Sequence, residues 1–198
     1  MFSMKNIWLW AVALLGLFGL MPAESSGLKE VIRTAEQVLN LDKNPSRTAA
    51  PAAKQYRGRV VSVADGDTVR IADTDGRKHK IRLAYIDAPE SNQAHGAASR
   101  EALSRLVMQK NVEVRVFESD QYGREVAQIT LNGRDINLSQ IQNGHAWHYV
   151  SIAKKKQNKN AFGDYAAAES QARRSRAGLW QNSSPTPPWT FRKQQRGQ

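Results

Sequence analysis

The 198 residues are 40% hydrophobic and 24% charged, with 29 Lys and Arg against 18 Asp and Glu, giving a formal charge of +11. That balance suits one soluble domain with extensions, and the basic excess favours polyanionic partners such as nucleic acid or anionic lipid. The chain has no cysteine, which excludes disulfides, thiolate zinc sites and thiol-linked lipid anchors.

In chain order, Lys5 precedes an apolar run over residues 7–20, and Pro22 and Ala23 precede Glu24. The run is short for a membrane span of ~20 residues and fits the ~7–15 residues of a signal sequence core. Residues 1–23 are therefore expected to be a signal peptide or, because Met21 and Ala23 make an imperfect cleavage site, an uncleaved N-terminal anchor. Either reading exports the domain, as a secreted or periplasmic protein, with membrane contact only if the segment is retained. In residues 24–54, Leu28, Val31, Ile32, Ala35, Val38 and Leu39 recur at helical spacing, and residues 44–53 are small, polar and Pro-containing, as in a linker.

The folded domain is expected over residues 55–182. Residues 57–63, 68–72 and 78–86 alternate as strands around two turns, DG at 65–66 and DTDG at 73–76. Residues 112–118 and 126–131 are two further strands, the last followed by the turn pair Asn132-Gly133. Helices are expected from the apolar face Ala98, Ala102, Leu103, Leu106 and Val107, over residues 136–142, and over residues 165–176. The basic run Lys154-Lys155-Lys156 is expected in a loop. The Pro-rich basic tail, 183–198, cannot continue the preceding helix, and Trp189 is expected to pack back onto the domain.

Residues 65–71, DGDTVRI, contain one aspartate more than a turn requires. Asp-Gly serves the turn through the positive φ that glycine accepts, so Asp67 is left to hold something. The segment IRLAYIDAPE, 81–90, places Arg82 upstream of Asp87 and Glu90 across Pro89. Strand alternation puts Arg82 on the opposite face from Asp87 unless the strand bends or bulges. In DQYGR, 120–124, a loop joins two strands and presents Arg124. The plain reading of each segment alone is a turn with solvated charges. Together, Asp67, Asp87 and Glu90 offer hard oxygen ligands or a base, and Arg82 and Arg124 offer guanidinium forks suited to phosphate.

DGDT, IRLAYIDAPE and DQYGR, in this order, resemble the three signature segments of the staphylococcal nuclease (thermonuclease) family, over about residues 56–181. NGHAWHY at 143–149, YAAAE at 165–169 and GLW at 178–180 agree with its bacterial members. The resemblance implies an α+β, mainly β domain: an OB-fold five-stranded Greek-key barrel, here with three helices. It also implies Ca²⁺ as cofactor, held by Asp67, Asp87 and the main-chain carbonyl of Ala88, with Glu90 as general base and Arg82 and Arg124 binding phosphate. The expected activity is calcium-dependent hydrolysis of DNA and RNA to 3′-phosphoryl products, by a monomer with no obligate protein partner. The alternative is a non-catalytic nucleic-acid-binding module on the same barrel. Ala88 stands where the founding member has Thr, and that member's stacking aromatic pair falls near Val150 and Ile152. Tyr122, Tyr149, Lys154 and Lys155 are accordingly the candidate substrate contacts. Histidine sets no rival metal site, since His145 and His148 lie three apart while His79 and His95 have no matching partner in the sequence.

Overall fold

The computed structural model describes residues 54–197. The signal or anchor segment, the helix expected at 28–39 and the linker lie outside the described residues.

The chain begins with β1 (Gln55–Asp65), β2 (Thr68–Asp73) and β3 (Lys78–Leu83), an antiparallel meander joined by the two expected turns. Strands β5 (Asn111–Ser119) and β6 (Glu125–Leu131) follow after the two-residue β4 (Ile86–Asp87). The order β3-β2-β1-β5-β6 closes on itself through a parallel β3–β6 pairing, so the sheet is a five-stranded barrel. Closure removes the unpaired edges that an open sheet would expose. Register shifts between Val60 and Ser62 and between Val63 and Asp65 are bulges in β1, which add the bend a small barrel needs.

Alternation then fills the barrel. Val60, Val69, Ile71, Ile81, Val112, Val114, Ala127 and Ile129 are essentially buried, each large aliphatic contributing ~1.5–3 kcal/mol on removal from water. The turn at Asn132-Gly133 has φ of 51° and 77° at its two central residues, the conformation a two-residue hairpin prefers, and leads into the short β7 (Arg134–Asp135).

Among the described residues five helices surround the barrel, where three are expected for the domain. The first, α1 (Gly96–Val107), buries Ala102, Leu103 and Val107. The second, α2 (Ile136–Gln142), has the expected bounds; the Asp135 carboxylate caps it by accepting from the Leu138 amide. After β8 (Trp147–His148), the basic run proves helical: Lys154, Lys155 and Lys156 occupy the last turn of α3 (Val150–Lys156), where cations complement the helix dipole. Helix α4 (Lys159–Arg174) starts six residues before the expected position, from an Asn158 cap. A 3₁₀ turn (Gly178–Gln181) follows, and the tail itself forms α5 (Pro188–Arg196), with proline at its first position. Pro187 and Pro188 set the start of this helix, since proline suits a helix only in its first turn. Trp189 packs back as expected, against Trp147 and Tyr149.

Candidate active site

The loop between β1 and β2 is two residues long, because Asp65 pairs with Thr68. Gly66 is needed there for a different reason from the one expected: its φ is not positive, but a Cβ would fall 1.8 Å from the Ser99 Oγ and 2.8 Å from the Ala88 Cβ. The turn is thus pressed onto α1 and onto the segment after β4. The Asp65 carboxylate accepts from the Asp67 amide at 3.0 Å, and the Leu83 amide donates to the Asp67 carbonyl at 2.7 Å, fastening the tip to β3. The Asp67 carboxylate accepts from the Ala88 amide at 2.8 Å.

Arg82 pairs with Thr68 across the sheet, next to Asp67. Its Nη1 lies 2.7 Å from Asp67 Oδ2, and its Nη2 donates to Asp87 Oδ1 at 2.8 Å. Alternation along an unbroken strand forbids the second contact. The strand is broken: Tyr85 has φ of 64°, a left-handed conformation, and the chain restarts as β4. The β4 strand pairs with β8, Asp87 opposite Trp147, and the Tyr149 amide donates to the Tyr85 carbonyl. That pairing brings Tyr149 to the site.

The parallel register, Ile81 opposite Glu125 and Arg82 opposite Val126, extends to place Arg124 level with Lys80, on the same sheet face as Arg82. Arg124 is further held by the loop: its Nε donates to Asp120 Oδ2 at 2.7 Å, while Asp120 Oδ1 accepts from the amides of Tyr122 and Arg124. Burial works against the Asp120 charge, but these hydrogen bonds keep its carboxyl below the usual range. Glu90 is presented by a turn in which its amide donates to Gln93 Oε1 and its carbonyl accepts from the Gln93 amide. Gly96 lets α1 approach that turn, since a Cβ there would sit 1.9 Å from the Glu90 carbonyl oxygen.

All five charged side chains line one cleft of about 510 Å³, together with Ala88, Tyr122 and Tyr149. Lys154 and Lys155 are not among its walls; both are exposed on α3. Val150 and Ile152 stand on the same helix, and the aromatic neighbour of Tyr149 comes instead from the tail, Trp189 stacking on it at 5.6 Å with an 11° angle between rings. A larger cavity of about 630 Å³ shares Tyr149 and is walled by Trp147, Trp180 and Trp189, but its only carboxylate, Glu169, is already paired with Arg173 at 3.4 Å.

The donor chemistry suits a hard cation. Asp67 and Asp87 are buried carboxylates converging on one guanidinium, and the Ala88 main chain adjoins Asp67. Burial pushes the Asp67 carboxyl up to about 7, against the pull of Arg82, so an additional positive charge would favour its ionised form. Among the described residues no three His, Asp or Glu side chains converge in metal-ligating geometry. Two carboxylates and a main-chain oxygen remain as donors, of the class calcium prefers.

Lys80, Arg192 and Arg196 also line the cleft and were not foreseen there. Arg192, from α5, donates to Asp87 Oδ1 at 3.2 Å, Asp87 Oδ2 at 2.8 Å and Glu90 Oε1 at 2.7 Å. Histidine also holds a surprise: His95 does have a partner, its Nε2 lying 3.0 Å from His145 Nδ1. His148 is elsewhere, bonded to Gln157.

A closed five-stranded barrel with paired aspartates and arginines at its rim defines a class, and the sequence comparisons agree. Residues 80–182 match the family described as staphylococcal nuclease homologue, and the chain belongs to that family. It is 36% identical over 136 residues to an uncharacterized endonuclease of Escherichia coli O157:H7, covering 68% of this chain and 84% of that one. It is 40% identical over 188 residues to a 38.1 kDa protein of Capnoides sempervirens, covering 88% and 50%, and 38% identical over 121 residues to the staphylococcal-like nuclease CAN1 of Arabidopsis thaliana, covering 61% and 35%. The chain thus spans half or less of the length of these two plant relatives.

Proposed function

We propose that the protein is an exported, calcium-dependent nuclease that hydrolyses phosphodiesters of DNA and RNA to 3′-phosphoryl products. The observation that carries the reading is the convergence of Asp67, Arg82, Asp87, Glu90 and Arg124 in one cleft. A phosphodiester is anionic and repels a nucleophile, so its charge must be offset before water can attack. Asp67, Asp87 and the Ala88 carbonyl would hold the calcium ion, which when bound supplies Lewis-acid polarisation of a phosphoryl oxygen.

The chain's own residues do the rest. Arg82 and Arg124, on one sheet face, present guanidinium forks whose hydrogen bonds strengthen as charge gathers on the phosphorane. The Glu90 carboxylate accepts the proton of the attacking water. The Asp120 carboxylate and the Tyr122–Arg124 backbone keep Arg124 from swinging into solvent. Tyr122 and Tyr149 flank the cleft as surfaces for sugar or base. The apolar run at residues 7–20 supports export.

Digestion of DNA and RNA by the purified protein in Ca²⁺, and again in EGTA, tests the reading together with E90Q. Chelation is expected to abolish cleavage, and E90Q to lower kcat by ~10²–10⁴. Wild-type turnover by E90Q, or cleavage that ignores EGTA, would overturn it.

A further inference from the structure

Asp87 has no oxygen left over. Its Oδ1 accepts from Arg82 and Arg192, and its Oδ2 accepts from Arg192. The same Arg192 nitrogen that reaches Oδ1 also holds the Glu90 carboxylate at 2.7 Å. A group carried by the C-terminal helix, 102 positions from Glu90 in the chain, therefore occupies both the proposed metal ligand and the proposed base.

The docking that delivers Arg192 is specific but shallow. Gln93, from the turn that presents Glu90, donates to the Thr186 carbonyl at 2.6 Å just before α5. Trp189 lies flat on Tyr149 and edge-on to Trp147 at 6.4 Å. Of the helix itself only Pro188 is buried, and Trp189 remains 36% exposed. A helix held by one aromatic stack, one guanidinium and a main-chain contact can lift without unfolding the barrel, whose core lies elsewhere.

We propose that α5 is an intramolecular latch, in which Arg192 occupies the cation position on Asp87 and Glu90 and must leave before a divalent cation can bind. The inference rests on the calcium reading of the site. Arg82 leaves Asp87 Oδ2 free, but Arg192 takes it, and a dication cannot reach that oxygen while the second guanidinium holds it, because two cations at such separation in a partly buried site repel strongly. Calcium binding thus ejects Arg192, frees Glu90 as a base and unstacks Trp189 from Tyr149 in one step. Cofactor binding and exposure of the base are the same event, and the protein is held closed where calcium is scarce. Burial works against the charge of Arg192, but its bonds to Asp87 and Glu90 raise its pKa above the ordinary arginine value, so it stays charged while latched.

Calcium titration by calorimetry, without nucleic acid, compares the full chain with R192A and with W189A, which loosens the stack and keeps the arginine. If the latch is open in about one molecule in ten, apparent affinity is reduced about tenfold, and R192A should recover that factor. W189A should recover part of it, and it tests the latch by itself should R192A fold poorly. In the unaltered protein, calcium should speed hydrogen exchange of the α5 amides while leaving β1–β3 protected. Equal or weaker calcium binding by the variants, or α5 exchange indifferent to calcium, overturns the latch alone. Absence of calcium binding by all three proteins overturns the calcium reading and the latch together.

Discussion

Arg82 donates to Asp87 at 2.8 Å, although the two residues stand on opposite faces of the strand that the sequence pattern describes. The left-handed backbone at Tyr85 reverses the face, and the same guanidinium then bridges Asp87 and Asp67. Lysine cannot span both carboxylates and a phosphate with a single ammonium. R82K is expected to lower kcat by about 10² or more, as loss of an oriented donor does. Single-turnover cleavage with saturating Ca²⁺ measures it, and a rate within threefold of wild type would deny the fork a role.

The Gly66 turn predicts a stability effect tied to the site. A methyl group at this position must displace the Ser99 side chain and the Ala88 Cβ, and Ala88 adjoins Asp67. G66A should cost ~1–3 kcal/mol in urea unfolding, the range for overpacking, and should weaken calcium binding as well. The double change G66A/S99A should recover part of the stability, since it removes the nearest atom. No recovery would point to the backbone rather than to Ser99.

Lys154 and Lys155 project from α3 outside the cleft, whereas Lys156 is paired with Glu118. Their contact with substrate is therefore expected only when the polymer extends beyond the cleft. Neutralising both with glutamine should reduce the slope of log KM against log salt by about one to two for long DNA, given about one counterion per phosphate contact. For a dinucleotide substrate the slope should not change. An unaltered slope with long DNA would remove these lysines from the substrate path.

His145 supplies a pH effect. Burial first, then His95 and Arg105, lower its pKa to about 4 in the folded protein, against ~6.5 for a free histidine. Between those values the unfolded chain binds a proton that the native state refuses, so stability is lost as pH falls from about 6.5 towards 4 and is undiminished above that window. Allowing for solvent screening, the loss is about 1–2 kcal/mol. Asp67, raised to about 7, acts in the opposite sense over much of the same range, because there the native state holds the extra proton. The measurement is the difference between wild type and H145Q in urea unfolding at pH 7 and pH 5, in which the Asp67 contribution cancels. H145Q should be the less sensitive to acid, and parallel losses would refute the assignment.

The barrel strands, the α2 helix and the three motifs are legible in the chain. Alternation, turn residues and caps act over a few positions: DTDG at 73–76, Asn132-Gly133 and the Asp135 cap each work through bonds to near neighbours. The tail is less legible. Its prolines signal a stop, and the helix beyond them has a strongly polar composition, so only docking reveals its role. The meeting of Arg82 with Asp87, the His95–His145 pair and the placing of Arg192 on Asp87 and Glu90 were decided by the tertiary structure alone. Contacts between residues 50 or 105 positions apart leave no periodic trace in the chain; they exist because barrel closure and the β4–β8 pairing bring distant segments to one rim.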